Sequence, residues 1–408
     1  MARRTFFQTG TIQALNSRIP LSLTTKCDAC KLQYGCKSPK MKVTGRGERR
    51  ILIVGEAPGE EEDRKGRQFV GPTGQKLEQT LSRCGVDLRD CILTNALICH
   101  PPDNKIKNQR SVEWCRPNLL RTIRDEDPEV IILLGATAVS SLLSTTWHGQ
   151  VGGVGRWAGW RIPDSKYNAW VCPTWHPSFL LRQKRPDPVL EALFEQHLRA
   201  AVSIKSRPWP SGAPDYRGMV AVEKSPDAAS RWLKSKVRPG VTIAFDYETN
   251  MMKPDHPESE IVSCSVSVGG TDTLGFPWHG PAVREMSRIL RDYRIKKIGC
   301  NVKFEDRWTR ALLKHGVEGW RWDTVLAAHM LDNRGKIAGL KFQAYVLLGA
   351  PDYDSHIKPY LKGDGGYGKY RIRELGLDAL LTYNALDSLL EYKVADVQIK
   401  QFKRFTDG

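Results

Sequence analysis

The sequence predicts an α/β protein with two domains, the first built on a parallel sheet and the second on a mixed sheet. In the first half, short apolar runs alternate with segments of helical length, which is typical of a parallel sheet covered by helices. In the second half, residues 261–268 alternate apolar and small polar side chains, as a half-buried antiparallel strand does. Residues 205–218 carry three prolines and two glycines without periodicity, which favours a linker. We therefore expect domains at 1–204 and 219–408.

Length and charge narrow the class of protein. With 408 residues, 40% of them hydrophobic, the chain is long enough for two or three cores. Its net charge of +17 favours a polyanionic partner, with nucleic acid the first choice. No run approaches the roughly eighteen apolar residues of a membrane span, and the basic segment Met1–Phe7 lacks the apolar core of a secretory signal. We expect an intracellular, cytoplasmic protein of bacterial or viral origin with no membrane partner.

Ten cysteines without an export signal favour a reducing compartment, where clustered cysteines bind metal more often than they form disulfides. Cys27 and Cys30 form a C-x-x-C pair, and Cys99 and Cys115 lie further on with a proline-rich loop between them. Four thiolates on two segments suit a tetrahedral zinc ion or a cubane iron–sulfur cluster. The spacing alone leaves both open.

Polar side chains follow three predicted strands of the first half, namely Glu56, Asn95 and His176, and the glycine-rich loop 66–74 adds Phe69. Ligands of open α/β sheets bind at the carboxyl ends of the strands. An aromatic ring can stack a flipped base, and an amide can read its edge. An imidazole can stabilise negative charge on a leaving pyrimidine, while a carboxylate favours a cationic sugar or orients water. Each residue alone can be explained as a helix cap, a turn residue or a side chain that fills the core. Together, however, they predict base excision.

Residues 27–204 resemble the iron–sulfur uracil-DNA glycosylases of the family 4 type. The stretches that carry the resemblance are, in order, Cys27-x-x-Cys30, Gly55–Asp63, Gly66–Gly71, Thr94–Pro102, Cys115 and Trp175–Ser178. The resemblance implies a [4Fe–4S] cluster on Cys27, Cys30, Cys99 and Cys115. Cys36 lies outside the family's ligand set.

The same resemblance implies roles for the residues at the strand ends. Phe69 is expected to stack on uracil, and Asn95 to recognise the base. Glu56 resembles the catalytic carboxylate, with Glu62 in support, and His176 resembles the histidine of the second motif. The segment 64–68 lacks the histidine of the covalent uracil-trapping relatives, which implies ordinary turnover.

Acidic residues of the second half predict a metal site. Asp246 and Glu248 lie two apart on a predicted strand and share one face. Their mutual repulsion and lost solvation would be relieved by a bound divalent cation. A carboxylate at position 305 or 306 and Asp387 add two acids from other elements, and Tyr383 shares a helix face with Asp387. Such a set suits two Mg²⁺ or Mn²⁺ ions and in-line phosphodiester hydrolysis, with Tyr383 orienting the water.

Residues 219–400 resemble the 3′–5′ proofreading exonuclease domain of family-A DNA polymerases, in the class with a tyrosine in the third motif. The stretches that carry this resemblance are Phe245–Thr249, Asn301–Glu305 and Tyr383-x-x-x-Asp387. It implies a ribonuclease H-like fold. The second motif usually has aspartate where this chain has Glu305, so Glu305 is the expected ligand and the adjacent Asp306 is the alternative.

We therefore expect a DNA-processing enzyme that excises uracil from DNA and removes nucleotides from 3′ ends. One alternative is a proofreading subunit for a separate DNA polymerase, with the glycosylase fold serving as a uracil sensor or DNA-binding platform. A second is a DNA-binding module in which neither site is catalytic. The glycine- and tyrosine-rich loop 363–371 is either a plain connection or a guide for a DNA strand.

Overall fold

The computed structural model describes residues 24–363 and 368–406. The chain divides into two compact units, Met1–Ala213 and Pro214–Gly408, and the division falls inside the segment 205–218. The basic segment Met1–Phe7 lies outside the described residues, as do residues 364–367 of the glycine-rich loop. Within the described ranges, no helix combines the length and the apolar character needed to cross a membrane.

The first unit contains a five-stranded sheet. Its strands are β1 (Ile51–Gly55), β2 (Ile92–Asn95), β3 (Val130–Leu134), β4 (Ile162–Asp164) and β5 (Ala169–Thr174). They lie in the order β2-β1-β3-β5-β4, and within this sheet only β4 is antiparallel to its neighbour. Both β1 and β3 are wholly buried, as expected for strands covered on both faces.

Helices surround this sheet, and several begin at a proline. They are α1 (Cys27–Cys30), α2 (Glu60–Lys65), α3 (Pro72–Arg83), α4 (Arg110–Glu126), α5 (Gly135–Leu143), α6 (Pro177–Leu181) and α7 (Pro188–Val202). Proline is accepted at the first helical position because its missing N–H would have no intrahelical partner there. It therefore marks where α3, α6 and α7 start.

The parallel register brings the predicted residues to one edge of the sheet. Gly55 at the end of β1 pairs with Asn95 at the end of β2, so Glu56 leaves the sheet beside Asn95. Leu134 at the end of β3 pairs with Thr174 of β5, and His176 follows two residues later. Ligand sites of open α/β sheets lie at this carboxyl edge.

The second unit contains a six-stranded mixed sheet. Its strands are β6 (Ala221–Val222), β7 (Thr242–Thr249), β8 (Ile261–Val268), β9 (Asp272–Pro277), β10 (Lys296–Gly299) and β11 (Trp320–Asp323). They lie in the order β11-β10-β7-β8-β9-β6, with β8 antiparallel to both β7 and β9. The remaining pairs are parallel. The predicted fold class is thus confirmed: an α/β chain with one mostly parallel and one mixed sheet.

Helices of the second unit are α8 (Pro226–Lys236), α9 (Gly280–Arg291), α10 (Lys303–Leu313), α11 (Thr324–Leu331), α12 (Leu340–Leu348) and α13 (Leu377–Thr406). The main core of this unit includes Phe245 from β7, Phe276 from β9, Met286 from α9 and Trp308 from α10. Long α13 contacts β7, β8 and β9. It therefore packs against the strand that bears Asp246 and Glu248.

Candidate active sites

A cleft at the carboxyl edge of the first sheet collects the residues predicted from separate segments. Its walls include Glu56, Glu62, Phe69, Asn95 and His176. The cleft has a volume of about 430 Å³, which is within the range of small-molecule sites. The structure therefore brings the five predicted residues of the first site into one place.

Asn95 is buried, and its orientation is set by a residue that sequence reasoning missed. Its Nδ2 donates a hydrogen bond to Oε1 of buried Gln68, whose own Nε2 donates to the carbonyl of Lys42 at 3.2 Å. This pairing assigns the Asn95 amide nitrogen and leaves its Oδ1 and second N–H for a base. Only the position of Gln68 next to Phe69, in a loop otherwise rich in glycine, could have signalled its role.

Gly55 allows Asn95 and Phe69 to approach each other. A Cβ at this position would lie 2.2 Å from Oδ1 of Asn95 and 2.9 Å from Cζ of Phe69, well inside van der Waals contact. Phe69 itself has φ of 54°, a left-handed conformation that costs roughly 1–2 kcal/mol in a residue with a side chain. The backbone is thus bent to direct the ring of Phe69 across the end of β1.

Glu62 braces the loop that carries Phe69. Its Oε1 accepts hydrogen bonds from the backbone N–H groups of Val70 at 2.8 Å and Gly71 at 2.7 Å. Its Oε2 accepts one from the backbone N–H of Gly59 at 3.1 Å. Both carboxylate oxygens are therefore occupied by backbone amides, and Glu62 acts by positioning this loop.

Glu56 follows β1 and His176 follows β5, and both line the cleft. Thr137 Oγ1 donates to Glu56 Oε2 at 2.8 Å, which fixes one oxygen and leaves the other for substrate or water. His176 Nδ1 accepts a hydrogen bond from the backbone N–H of Ser178 at 3.3 Å. A backbone nitrogen can only donate, so Nδ1 carries no proton and the neutral ring bears its hydrogen on Nε2.

Burial keeps His176 neutral. It lowers the pKa of the imidazole, and the opposing influence of the Glu56 charge is smaller. The ring fits here because Gly135 has no side chain: a Cβ there would lie 2.8 Å from Cβ of His176, and φ of Gly135 is 86°. A neutral Nε2–H donor is thus held at the cleft.

The four predicted cysteine ligands line a second, smaller cavity. Cys27, Cys30, Cys99 and Cys115 line this cavity together with apolar side chains such as Leu97 and Trp114. The backbone N–H of Lys40 donates to Cys99 Sγ at 3.2 Å, and Asn118 Nδ2 donates to Cys115 Sγ at 3.4 Å. Such N–H···S bonds stabilise sulfur ligands that carry negative charge.

Burial favours the neutral form of two of these thiols. Burial raises the pKa of Cys99 to about 12 and also raises that of Cys115. Thiolates in such an apolar cavity need a bound cation to offset their charge. Cys36 interacts electrostatically with Cys99 but is not among the residues that line the cavity. The donor set therefore fits a cluster on the four predicted cysteines.

In the second unit, three predicted acids meet. Ligand oxygens of Asp246 and Glu248 on β7 and of Asp387 on α13 lie within 4.8 Å of one another. Burial and the charge of Asp387 raise the pKa of Asp246, and burial and the charge of Asp246 raise that of Glu248. Asn384 Nδ2 donates to Asp246 Oδ2 at 2.7 Å and fixes its direction. A hard divalent cation fits this set of oxygen donors.

The two candidates for the fourth acid, Glu305 and Asp306, differ in the partners of their carboxylates. Glu305 is buried, and its Oε2 has no hydrogen-bond partner among the described residues. Burial and then the charge of Asp246 raise its pKa, so Glu305 lies within electrostatic reach of Asp246. Asp306 is engaged elsewhere: it pairs with Arg310 at 2.6 Å and accepts from the backbone N–H of Val317 at 2.8 Å.

Two residues beside Asp387 had no sequence signal. Tyr353 donates its hydroxyl hydrogen to Asp387 Oδ1 at 2.5 Å, and Lys341 forms an ion pair with the same carboxylate. Lys341 Nζ also lies 4.6 Å from the ring centre of Tyr383. Burial and then the charge of Asp387 raise the pKa of Tyr383, which keeps its hydroxyl protonated. Lys341 and Tyr353 come from segments without a motif, so only folding reveals them.

Comparisons with known proteins support the resemblance inferred for the first unit. Residues 42–199 match the model of the Uracil DNA glycosylase superfamily. The chain is 38% identical over 186 residues to the type-4 uracil-DNA glycosylase of Pyrobaculum aerophilum, covering 43% of this chain and 88% of that protein.

Two further similar proteins are a DNA polymerase, which aligns beyond the first unit, and a solved structure. A DNA polymerase of Bacillus phage SP01 is 24% identical over 400 residues, which cover 89% of this chain and 41% of the polymerase. The solved structure of Brucella melitensis NrnC with bound Mg²⁺ is 17% identical with a TM-score of 0.34, covering 46% of this chain and 81% of its own.

The cleft geometry and the sequence relatives agree on the first unit. The relative from Pyrobaculum aerophilum exceeds 30% identity and is covered over 88% of its length. The chain therefore belongs to the type-4 uracil-DNA glycosylase family, whose superfamily model it matches at residues 42–199.

Proposed function

We propose that the first unit hydrolyses the N-glycosidic bond of deoxyuridine in DNA. The observation that carries this is the cleft that joins Phe69, Asn95, His176 and Glu56. Uracil, flipped from its strand, stacks on Phe69 and pairs with the amide of Asn95. The neutral Nε2–H of His176 donates a hydrogen bond to the uracil oxygen on which negative charge develops.

The carboxylate of Glu56 completes this mechanism. As the bond between sugar and base breaks, positive charge develops on the sugar, and a nearby carboxylate stabilises it. Thr137 holds one oxygen of Glu56 at 2.8 Å, so the other can orient the attacking water. Glu62 contributes indirectly, by bracing the loop that carries Phe69.

Cys27, Cys30, Cys99 and Cys115 would hold a [4Fe–4S] cluster. When bound, the cluster would clip the segments around 27–30 and 99–115 together, and glycosidic hydrolysis needs no electrons from it. The basic residues near these segments are then held in place to contact DNA phosphates.

For the second unit we propose 3′–5′ exonuclease activity. Asp246, Glu248, Glu305 and Asp387 would hold two Mg²⁺ or Mn²⁺ ions. When bound, these ions supply an activated water and stabilise the leaving oxygen. The Tyr383 hydroxyl, kept protonated by its burial, orients the attacking water. The DNA polymerase relative that aligns over 89% of this chain supports a role for both units on DNA.

The similarity to that DNA polymerase also favours a second candidate. In it, the exonuclease serves a DNA polymerase on a separate chain, and the first unit acts as a uracil sensor or DNA platform. This reading predicts 3′ shortening without uracil release.

The test uses an oligonucleotide with one internal uracil, labelled at the 5′ end or the 3′ end. Wild-type protein is incubated with each oligonucleotide in two separate reactions, one with EDTA and one with Mn²⁺. Half of each sample is then treated with alkali. Alkali-dependent cleavage at the uracil in EDTA is expected from the first site, and a 3′-shortening ladder only with Mn²⁺ from the second.

Matched variants assign each product to its site. Asn95→Ala should abolish uracil release, whereas Asn108→Ala, at an exposed position, should not. Asp246→Asn should abolish the ladder, and exposed Asp272→Asn should not. If the 3′-shortening ladder forms but uracil is not released, the result supports the first unit as a uracil sensor. If neither product forms, both catalytic proposals fail.

A further inference from the structure

Glu391 is a buried acid that no motif predicts. It lies on α13 four residues, about one helical turn, after Asp387, and its side chain is fully buried. Among the residues that the structure describes, neither of its carboxylate oxygens has a hydrogen-bond partner. Buried polar groups are nearly always hydrogen-bonded, so an orphaned carboxylate requires an explanation.

The surroundings of Glu391 make its isolation more costly. Besides burial, the charges of Asp246, Glu305 and Asp387 all raise its pKa, because like charges disfavour ionisation. The attractive charge acting on it is Lys341, which already pairs with Asp387 and donates to Tyr353 at 2.8 Å. The protein's own groups in this region therefore do not balance the acid.

A second orphaned oxygen lies nearby. Glu305 Oε2 on α10 also has no hydrogen-bond partner among the described residues, and the charge of Glu305 acts on Glu391. Two unpartnered carboxylates thus come from α10 and α13. The ligand atoms of Asp246, Glu248 and Asp387 lie within 4.8 Å of one another, and the two unpartnered carboxylates lie outside this group.

We propose that Glu391 is a fifth carboxylate of the metal centre and binds a divalent cation together with Glu305. The ligand class is a hard cation such as Mg²⁺ or Mn²⁺, which prefers carboxylate oxygens. The inference rests on the metal-dependent exonuclease proposed above. It explains why two acids on different helices remain buried with unpartnered carboxylate oxygens.

The test measures Mn²⁺ binding to the full chain directly, by the electron paramagnetic resonance signal of free Mn²⁺ during titration. Glu391→Gln keeps the shape of the side chain but removes its charge. It should weaken one Mn²⁺ site roughly tenfold or more, as lost metal-supporting groups do. The matched control is Glu285→Gln on α9, which removes another buried acid, one paired with Arg288 at 2.6 Å, and should leave Mn²⁺ binding unchanged.

Asp246→Asn separates the failure of this inference from the failure of the exonuclease proposal. If Asp246→Asn weakens Mn²⁺ binding and Glu391→Gln does not, Glu391 is no ligand although the metal site stands. If wild type and Asp246→Asn bind Mn²⁺ equally, the metal-dependent exonuclease itself is overturned. Should Glu391→Gln not unfold cooperatively, Glu391→Asp replaces it: the shorter side chain should also weaken one site, and unchanged affinity would overturn the inference.

Discussion

The orientation of single side chains decides what the first site can read. In the proposed mechanism, Asn95 offers uracil a donor and an acceptor only if its amide is held in one orientation, and Gln68 holds it by accepting a hydrogen bond from Nδ2. Removing one partner of a buried hydrogen bond leaves the other unsatisfied and costs about 1–3 kcal/mol. Gln68 is therefore a positioning residue for base recognition.

Gln68→Met should lower kcat/KM for uracil excision about tenfold or more, because Asn95 loses the partner that orients it. The measurement is steady-state uracil release from single-stranded DNA, with the unfolding midpoint recorded alongside. Gln75→Met, at an exposed position of α3, is the control and should match wild type. An unchanged kcat/KM in a folded Gln68→Met protein would refute the role given to Gln68.

His176 predicts a particular pH profile. Burial lowers the pKa of its imidazole, so the ring is already neutral where an ordinary histidine would be half protonated. Lowering the pH from about 8 to about 5.5 should reduce the single-turnover rate of excision by clearly less than the roughly tenfold loss expected of an ordinary histidine. A rate that falls along a single titration near the ordinary histidine value, and does not in His176→Asn, would show that the ring titrates normally.

Strand ends and loops, rather than single residues, shape the cleft. The turn after β1 brings Glu56 out of the sheet, and Gly55 at the end of the same strand leaves room for neighbouring side chains. Glu62 on α2 ties the start of its helix to the loop that bears Phe69. The site is thus built where β1, α2 and the following loop meet.

Gly55→Ala should reduce uracil excision by about a hundredfold, because a displacement near 1 Å in a reacting geometry can have that effect. The added Cβ would lie 2.2 Å from Asn95 Oδ1 and 2.9 Å from the ring of Phe69, and one of them must move. Gly153→Ala is the control, since a Cβ there meets no atom within 4 Å. Equal excision rates in the two variants would contradict this account of the cleft.

Helix α13 plays the corresponding part in the second unit. It carries Tyr383, Asp387 and Glu391 at intervals of four residues, so the three share one face. The strand β7 supplies Asp246 and Glu248 opposite, and Glu305 enters from α10. A single long helix packed on the sheet therefore aligns three groups of the proposed exonuclease centre.

The chain as a whole carries a net charge of +17. Lysines and arginines that contact phosphates release counterions from DNA, so binding weakens as salt rises. This effect does not depend on base sequence and acts on both proposed substrates.

Affinity for uracil-free DNA should fall at least about tenfold between roughly 50 and 200 mM salt, because several phosphate contacts are lost to counterions. Fluorescence anisotropy of a labelled oligonucleotide measures this, with the unfolding midpoint at both salt concentrations as the control for protein stability. Binding that is insensitive to salt would show that the positive charge does not engage the DNA backbone.

Sequence reasoning located much of both sites because they follow local rules. Apolar runs that end in glycine or a polar residue predicted the strands and their functional ends, and the fold class was confirmed. Glu56, Phe69, Asn95 and His176 do share one cleft, and Asp246, Glu248 and Asp387 do meet. Their roles in catalysis and metal binding stay predictions.

The sequence by itself determined the α/β class, the two halves and the residues placed at strand ends, because strand and helix periodicity is written in neighbouring positions. Tertiary structure alone decided which distant groups act on these residues. The effects of Gln68 on Asn95, of Lys341 and Tyr353 on Asp387, and of the Glu305 charge on Glu391 are long-range interactions without a local pattern. The physical reason is that burial and electrostatic pairing depend on distance in space, which separation along the chain does not reveal.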